Sequence, residues 1–141
     1  MEQAPGLTWC VSVPGVPPSV NHMYLPRVTM TATGSYRSLR KADGVEEYQA
    51  IAAMFVKTTM PKAWRQALEK HTGYICIRYW FHLKRDIDCD NALKALNDAV
   101  AKAIGVNDKR FLPHVVDKYV GKNEDPRVDL EFSFHERQPQ P

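Results

Sequence analysis

The residues best suited to chemistry lie in one short stretch, Asp86 to Lys94, which reads DIDCDNALK. Aspartates at alternate positions are followed by an asparagine and a lysine. If the chain stays extended here, Asp86, Asp88 and Asp90 share one face, and the two apolar residues between them point to the core. Carboxylates this close repel one another, and a hard divalent cation such as Mg²⁺ relieves the repulsion by oxygen coordination. The stretch is therefore a candidate metal site.

Other interpretations of the acidic stretch compete with this one. A calcium loop also begins D-x-D-x-D, but its sixth and twelfth positions should be Gly and Glu, where this chain has Asn91 and Asn97. A sugar-nucleotide transferase could use a D-x-D pair, yet the chain is short for one and has no phosphate-cradling glycine loop. In a purely structural interpretation, which stays open, Asp90 or Asn91 caps the next helix and the other carboxylates are solvated.

The pattern after the acidic stretch predicts an amphipathic helix over 91–104, ended by Gly105. Lys94 lies on its polar side, one turn beyond the carboxylates. It could form an i,i+4 ion pair with Asp98, or bring a cation to a phosphate on which charge builds up in a transition state. Asp108 is typical of a turn residue, but a loop between this helix and a returning strand can fold back towards the acidic stretch.

The remaining elements must hold this stretch in place. Apolar periodicity predicts helices at 44–60 and 62–70 and strands at 7–13, 74–83, 113–120 and 127–134. Residues 22–41 are interpreted as a basic loop or a short hairpin, with Gly34 suited to its tip. This order of elements predicts an α/β (α+β) fold, a compact single domain with a mixed β-sheet packed against two main helices.

Composition agrees with one domain. A chain of 141 residues, 44% hydrophobic, can bury a real core. We expect a single domain over 1–141, with flexible tails at about 1–6 and 136–141. There is no apolar run of about 18 residues and no signal peptide, so we expect no membrane partner and a cytoplasmic location. The three cysteines, which form no CxxC pair, are expected to be reduced and buried: Cys10, Cys76 and Cys89.

Basic residues surround the acidic stretch. The formal net charge is only +3, but Lys and Arg cluster at 37–41, 84–85 and 109–110 and at Lys118 and Lys122. A basic rim around an acidic centre suits a polyanionic substrate, although clustered lysines also form ordinary solvated surfaces.

Three segments together resemble the RusA-like Holliday junction resolvases, endodeoxyribonucleases that are common in bacterial prophages. PGVPPSVNHMY (14–24) is similar to the family's early Pro-Pro-Ser-x-Asn-x-x-Tyr segment. DCDNALKALNDAV (88–100) has its Asp-x-Asp-Asn, Lys and Asp-Ala pattern in the same spacing. GVND (105–108) matches a loop whose last aspartate completes the site. The resemblance covers nearly the whole chain.

The resemblance implies a RusA-like fold and a Mg²⁺-dependent, structure-selective endodeoxyribonuclease, with Mn²⁺ as a possible substitute. It would resolve four-way (Holliday) or branched DNA by paired cuts in recombination and repair. A homodimer would supply the two sites. An inactive junction-binding protein with the same surface is the alternative.

The resemblance also assigns residues. Asp88, Asp90 and Asp108 match the metal-binding aspartates, and Lys94 matches the catalytic lysine. Three further residues match positions of the family motifs that would support the site: Asn91, Asp98 and Asn21. The basic residues expected to contact DNA are Arg27, Arg37, Arg40, Lys41, Lys84, Arg85, Lys109 and Arg110.

The chain departs from the family pattern in two places. Family members often have two adjacent aspartates in the last loop, where this chain has Asn107 and Asp108. Asp86 and Ile87 separate the basic pair at 84–85 from the first matched aspartate. Asp86 therefore has no family role and is either a spare ligand or a solvated acid.

Overall fold

A four-stranded mixed sheet with helices on one face organises the protein. The computed structural model describes residues 7–19, 24–31, 34–41 and 44–135, of which 24–31 and 34–41 by their backbone alone. In chain order the elements are β1 (Thr8–Pro14), β2 (Tyr24–Thr31), β3 (Gly34–Lys41), α1 (Val45–Thr59), α2 (Lys62–Lys70), β4 (Ile75–Leu83), α3 (Cys89–Ile104), a short 3₁₀ helix (Asp108–Arg110), β5 (Phe111–Val120) and β6 (Arg127–Phe134). The predicted α/β class with a mixed sheet is confirmed.

The sheet has the strand order β1-β6-β4-β5. β4 is central: it pairs antiparallel with β6 and parallel with β5. Side chains alternate along it, and those facing the helices are almost fully buried: Ile75, Ile77, Tyr79, Phe81 and Leu83. They form one core with buried residues of α1, α2 and α3. Because β5 runs parallel to β4, the chain must cross from one strand to the next, and α3 makes that crossing.

The predicted helices are confirmed: α2 has the predicted bounds, and the bounds of α1 and α3 differ by one or two residues. α3 ends at Ile104 and is capped by Gly105, which adopts the left-handed conformation (φ 72°) that glycine reaches without steric cost. Its N–H donates to the carbonyl of Ala101 at 2.9 Å. None of the helices in the described ranges is long and apolar enough to cross a membrane.

β2 and β3 form a separate two-stranded antiparallel sheet in which Thr31 pairs with Gly34. The hairpin interpretation of residues 22–41 is thus confirmed over the described strands, with Gly34 as the first residue of β3. The predicted tails at 1–6 and 136–141 lie outside the described residues.

Two local predictions were wrong. The first is the condition that the chain stays extended through the acidic stretch: β4 ends at Leu83 and α3 begins at Cys89, so Asp90 lies in the first helical turn. The reason is that the side chain of Asp88 caps the helix. The second error concerns the cysteines: all three are free and Cys89 is buried, but Cys76 is half-buried and Cys10 is exposed, because its position in β1 faces away from the core.

Candidate active site

Asp88 is the N-cap of α3, a role that the structural interpretation of the sequence gave to Asp90 or Asn91. Its Oδ1 accepts a hydrogen bond from the backbone N–H of Asp90 at 3.0 Å. Its Oδ2 accepts from Nδ2 of Asn91 at 3.2 Å, which gives Asn91 a supporting contact. The carboxylate also lies at the positive end of the helix dipole, where negative charge is favourable. An ionised carboxylate has about four lone-pair sites, so two bonds leave Asp88 able to bind a cation.

Asp90 is exposed in the first turn of α3. Among the described residues its carboxylate forms no hydrogen bond or ion pair, so its oxygens face solvent. Asp88 and Asp90 are termed here the carboxylate pair. They present oxygen donors of the type that Mg²⁺ prefers at one exposed helix end.

Lys94 lies one turn further along α3. Its Nζ donates to Asp98 Oδ1 at 3.1 Å, which confirms the predicted i,i+4 ion pair. The same Nζ lies 4.0 Å from Asp108 Oδ2, so the loop after α3 does fold back towards the helix. Lys94, Asp98 and Asp108 form the lysine cluster, in which two carboxylates hold the ammonium group in place.

Asp108 begins the 3₁₀ helix, whose cap is Asn107. The Oδ1 of Asn107 accepts from the backbone N–H of Lys109 at 2.9 Å. An amide caps as well as a carboxylate does. The asparagine that replaces a common family aspartate is therefore sufficient for the local fold, and the single acidic side chain left in the loop, Asp108, turns towards Lys94.

The carboxylate pair and the lysine cluster do not form a single metal-binding site. In the described part of the chain, no group of three or more His, Cys, Asp and Glu side chains is placed to hold a metal ion. Eight helical residues separate Asp90 from Asp98, about 12 Å along the axis. Lys94 lies between them on the same polar face of α3.

Asp86, left without a role by the sequence, has a clear partner. Its Oδ1 lies 2.6 Å from Nζ of Lys118 on β5, and the same Nζ donates to the carbonyl of Ile87 at 3.2 Å. The hydrogen bond and charge of Lys118 lower the pKa of Asp86, and Asp86 in turn raises the pKa of Lys118. Both groups are exposed, but together they tie the loop that leads into Asp88 to the edge strand of the sheet.

An open groove of about 980 Å³ runs between α1 and α3. All three residues of the lysine cluster line this groove, together with Lys102 from α3. Glu46 and Gln49 line it from α1. Gln49 donates to the carbonyl of Ala95 at 3.1 Å and so joins the two helices. Sequence reasoning missed the α1 residues, because no spacing rule relates α1 to the acidic stretch.

The basic residues predicted to contact DNA occupy different surroundings. Lys84, Arg85 and Lys109 are exposed. Arg110 instead donates to two backbone carbonyls, Gly73 at 3.0 Å and His71 at 2.8 Å, which secures the start of β5. Four others lie on the hairpin strands: Arg27 on β2, and Arg37, Arg40 and Lys41 on β3. Asn21 lies outside the described residues.

The exposed face of α3 thus presents two aspartates at its start and a lysine one turn further on. The family model described as endodeoxyribonuclease RusA matches residues 16–132. The chain belongs to the RusA endodeoxyribonuclease family. The match spans both the carboxylate pair and the lysine cluster.

Other comparisons add little. No curated protein matches the chain. Among solved structures, 2C-methyl-D-erythritol 2,4-cyclodiphosphate synthase from Plasmodium vivax is 7% identical with a TM-score of 0.32, over 93% of this chain and 99% of that one. The IspF–CDP complex from Plasmodium falciparum is 7% identical with a TM-score of 0.33, over 89% and 92%. Both TM-scores are too low to support a functional comparison.

Proposed function

We propose that this endonuclease resolves four-way DNA junctions by Mg²⁺-dependent hydrolysis of paired phosphodiester bonds. The observation that carries the proposal is the match to the RusA family across the segment that contains both site clusters. Paired incision requires two sites related by an approximate two-fold axis, and a C2 homodimer is the simplest assembly that supplies them.

The donor chemistry of the site fits Mg²⁺. The proposed ligands are the carboxylate pair and, from the separate lysine cluster, Asp108; all are exposed and are hard oxygen donors. A bound Mg²⁺ would supply positive charge against the attacked phosphate and help to ionise a water molecule. It would also relieve the repulsion between these carboxylates and the DNA backbone, which the protein alone does not offset.

Lys94 is the residue that we propose meets the reacting phosphate. Its ammonium group lies on the exposed face of α3, one turn from Asp90, and Asp98 holds it at 3.1 Å. A cation fixed before the reaction stabilises negative charge that develops on the phosphate without having to reorganise. Asp98 acts through Lys94 and is a positioning residue.

The experiment is cleavage of an end-labelled four-way junction by the full chain, with and without Mg²⁺. We expect symmetric nicks that need the metal and that are lost in Asp90→Asn, while the variant still binds the junction. Asp125→Asn, an exposed aspartate in the turn between β5 and β6, is the matched control and should cut normally.

Other outcomes would contradict the proposal. Binding without metal-dependent cleavage would identify an inactive junction-binding protein. Cleavage of linear duplex as fast as of the junction would remove the structure selectivity. Undiminished cleavage by Asp90→Asn would remove the assigned site.

A further inference from the structure

We infer that the groove between α1 and α3 binds the cleaved DNA strand beyond the scissile phosphate, and that Lys102 contacts a phosphate of that strand. This inference rests on the proposed function, since it extends the same site. It assigns a strand-binding role to a surface outside the acidic stretch, and its ligand is the sugar-phosphate backbone of DNA.

The position of the groove supports a continuous path. The groove begins at Lys94, one turn after the carboxylate pair, and continues along α3 to Lys102 and Gly105. Its floor and sides include small side chains, Ala50 and Ala53 among them, so a chain of nucleotides meets little steric obstruction. A strand held at Lys94 can therefore follow α3 through this groove.

Of the charged side chains that line the groove, some form ion pairs with described residues and others do not. Lys94 already contacts Asp98 and Asp108. Lys102 is exposed, and within the described ranges it forms no ion pair. Glu46, on the opposite wall, is likewise exposed without an ion pair there. A phosphate in the groove is thus attracted by Lys102, and it is repelled by Glu46 and by the excess negative charge that Asp98 and Asp108 leave beside Lys94.

The spacing of the two lysines suits a strand. Eight residues of α-helix separate Lys94 from Lys102, which is about 12 Å along the axis. A DNA strand advances about 3.4 Å per nucleotide along a duplex axis. Because about 12 Å is more than one such step, a phosphate at Lys102 would be a different phosphate, further along the strand than the one at Lys94.

A structural role for Lys102 must be separated from this one. A lysine in the last helical turn also interacts favourably with the helix dipole. Lys57 provides the matched control, because it is an exposed lysine in the last turn of α1 and does not line the groove. A dipole effect would change stability in both variants, whereas a phosphate contact changes DNA binding only in Lys102→Gln.

The test compares the full-length protein with Lys102→Gln, Lys57→Gln and Glu46→Gln on a labelled four-way junction at several salt concentrations. We expect Lys102→Gln to raise KM with kcat little changed, and to reduce the slope of log affinity against log salt by about 0.9, the value for one lost phosphate contact. Glu46→Gln should lower KM, and Lys57→Gln should match the unmodified protein.

A modified substrate makes the test specific. Replacing single phosphates of the cleaved strand by neutral methylphosphonates should raise KM at one position away from the cut, and Lys102→Gln should be insensitive to that replacement. An unchanged salt slope in Lys102→Gln, or equal sensitivity of both proteins at every position, would overturn the inference.

The two proposals can fail separately. If the protein binds junctions without cutting them, the proposed function fails, and the salt slope of equilibrium binding still decides whether Lys102 contacts a phosphate. If it cuts junctions and Lys102→Gln is indistinguishable from the unmodified protein, only the groove assignment fails.

Discussion

The two ends of strand β4 differ sharply in what surrounds them. Near its amino end an aromatic cluster, Trp9, Trp64, Phe132 and Phe134, packs across β1, α2 and β6. Trp9 stacks on Phe132 with ring centroids 4.4 Å apart, and Trp64 stacks on Phe134 at 4.6 Å. At its carboxyl end the chain leaves Leu83 and enters an exposed loop of charged residues that leads to the carboxylate pair.

This difference indicates that one end of β4 mainly stabilises the fold, whereas the other mainly positions the candidate active site. Burial of large aromatic side chains contributes strongly to folding, whereas exposed charges contribute little. At the polar end Asp88 stabilises the start of α3 as its cap, but Asp90 is exposed and forms no hydrogen bond or ion pair with the described residues, so it contributes little to folding. The apolar end of β4 thus stabilises a fold whose polar end is arranged for binding rather than for stability.

The largest expected effect tests the apolar end. Trp64 is completely buried, so Trp64→Ala should lower the free energy of unfolding by about 3–5 kcal/mol, the usual range for truncation of a large core aromatic residue. Denaturant titration measures the loss. Trp80, half-buried on the opposite face of the sheet, is the matched control, and Trp80→Ala should cost clearly less. Equal losses of unfolding free energy in the two variants would contradict this prediction. So would a lower cleavage rate per folded molecule of Trp64→Ala, because the apolar end of β4 is expected to affect stability and not activity.

The second prediction tests the polar end at Asp88, where one side chain both caps α3 and belongs to the proposed metal site. Asn caps a helix as well as Asp does, so Asp88→Asn should keep its stability, while Asp88→Ala should lose about 0.5–2 kcal/mol. Both should lose cleavage by about 100-fold or more, as expected when an active site loses a charge-stabilising group. Denaturant titrations and single-turnover cleavage measure the two effects. If Asp88→Asn kept both its stability and its cleavage activity, and only Asp88→Ala lost them, Asp88 would be a helix cap and not a metal ligand.

The fold was predictable where periodicity decides it. The apolar stripe of α3, the alternation in β4 and the turn residues between β5 and β6 predict elements that the structure confirms. The start of α3 was not predictable from alternation, because D-x-D-x-D suits an extended strand as well as a capped helix. The hydrogen bond between Asp88 and the backbone of Asp90 decides between them, and it depends on where β4 ends.

The site was predictable only where its members are close in sequence or match the family motif. The i,i+4 ion pair of Lys94 and Asp98 follows from helix geometry alone. Glu46, Gln49 and Lys118 approach the site through tertiary packing, so no local spacing could identify them. The charge pattern placed Lys118 in a basic cluster, but not opposite Asp86.

The smallest predicted effect concerns the ion pair of Asp86 and Lys118, which we expect to hold the loop that leads to the carboxylate pair. Asp86→Asn and Lys118→Met should each weaken Mg²⁺ binding by up to about tenfold, the lower range for partners that orient metal ligands. Calorimetric titration with Mg²⁺ measures the affinity. Glu131→Gln, which breaks the exposed ion pair with Arg78 on the outer face of the sheet, is the matched control and should have no effect.

The direction of the two shifts distinguishes positioning from simple charge. If Asp86 and Lys118 acted on a bound cation only through their own charges, removal of the carboxylate would weaken Mg²⁺ binding and removal of the ammonium would strengthen it. If the pair positions the loop, both substitutions weaken binding. Lys118→Met should then be the more harmful, because it also removes the bond to the carbonyl of Ile87. Tighter Mg²⁺ binding by Lys118→Met would therefore contradict the positioning role and leave only an electrostatic one.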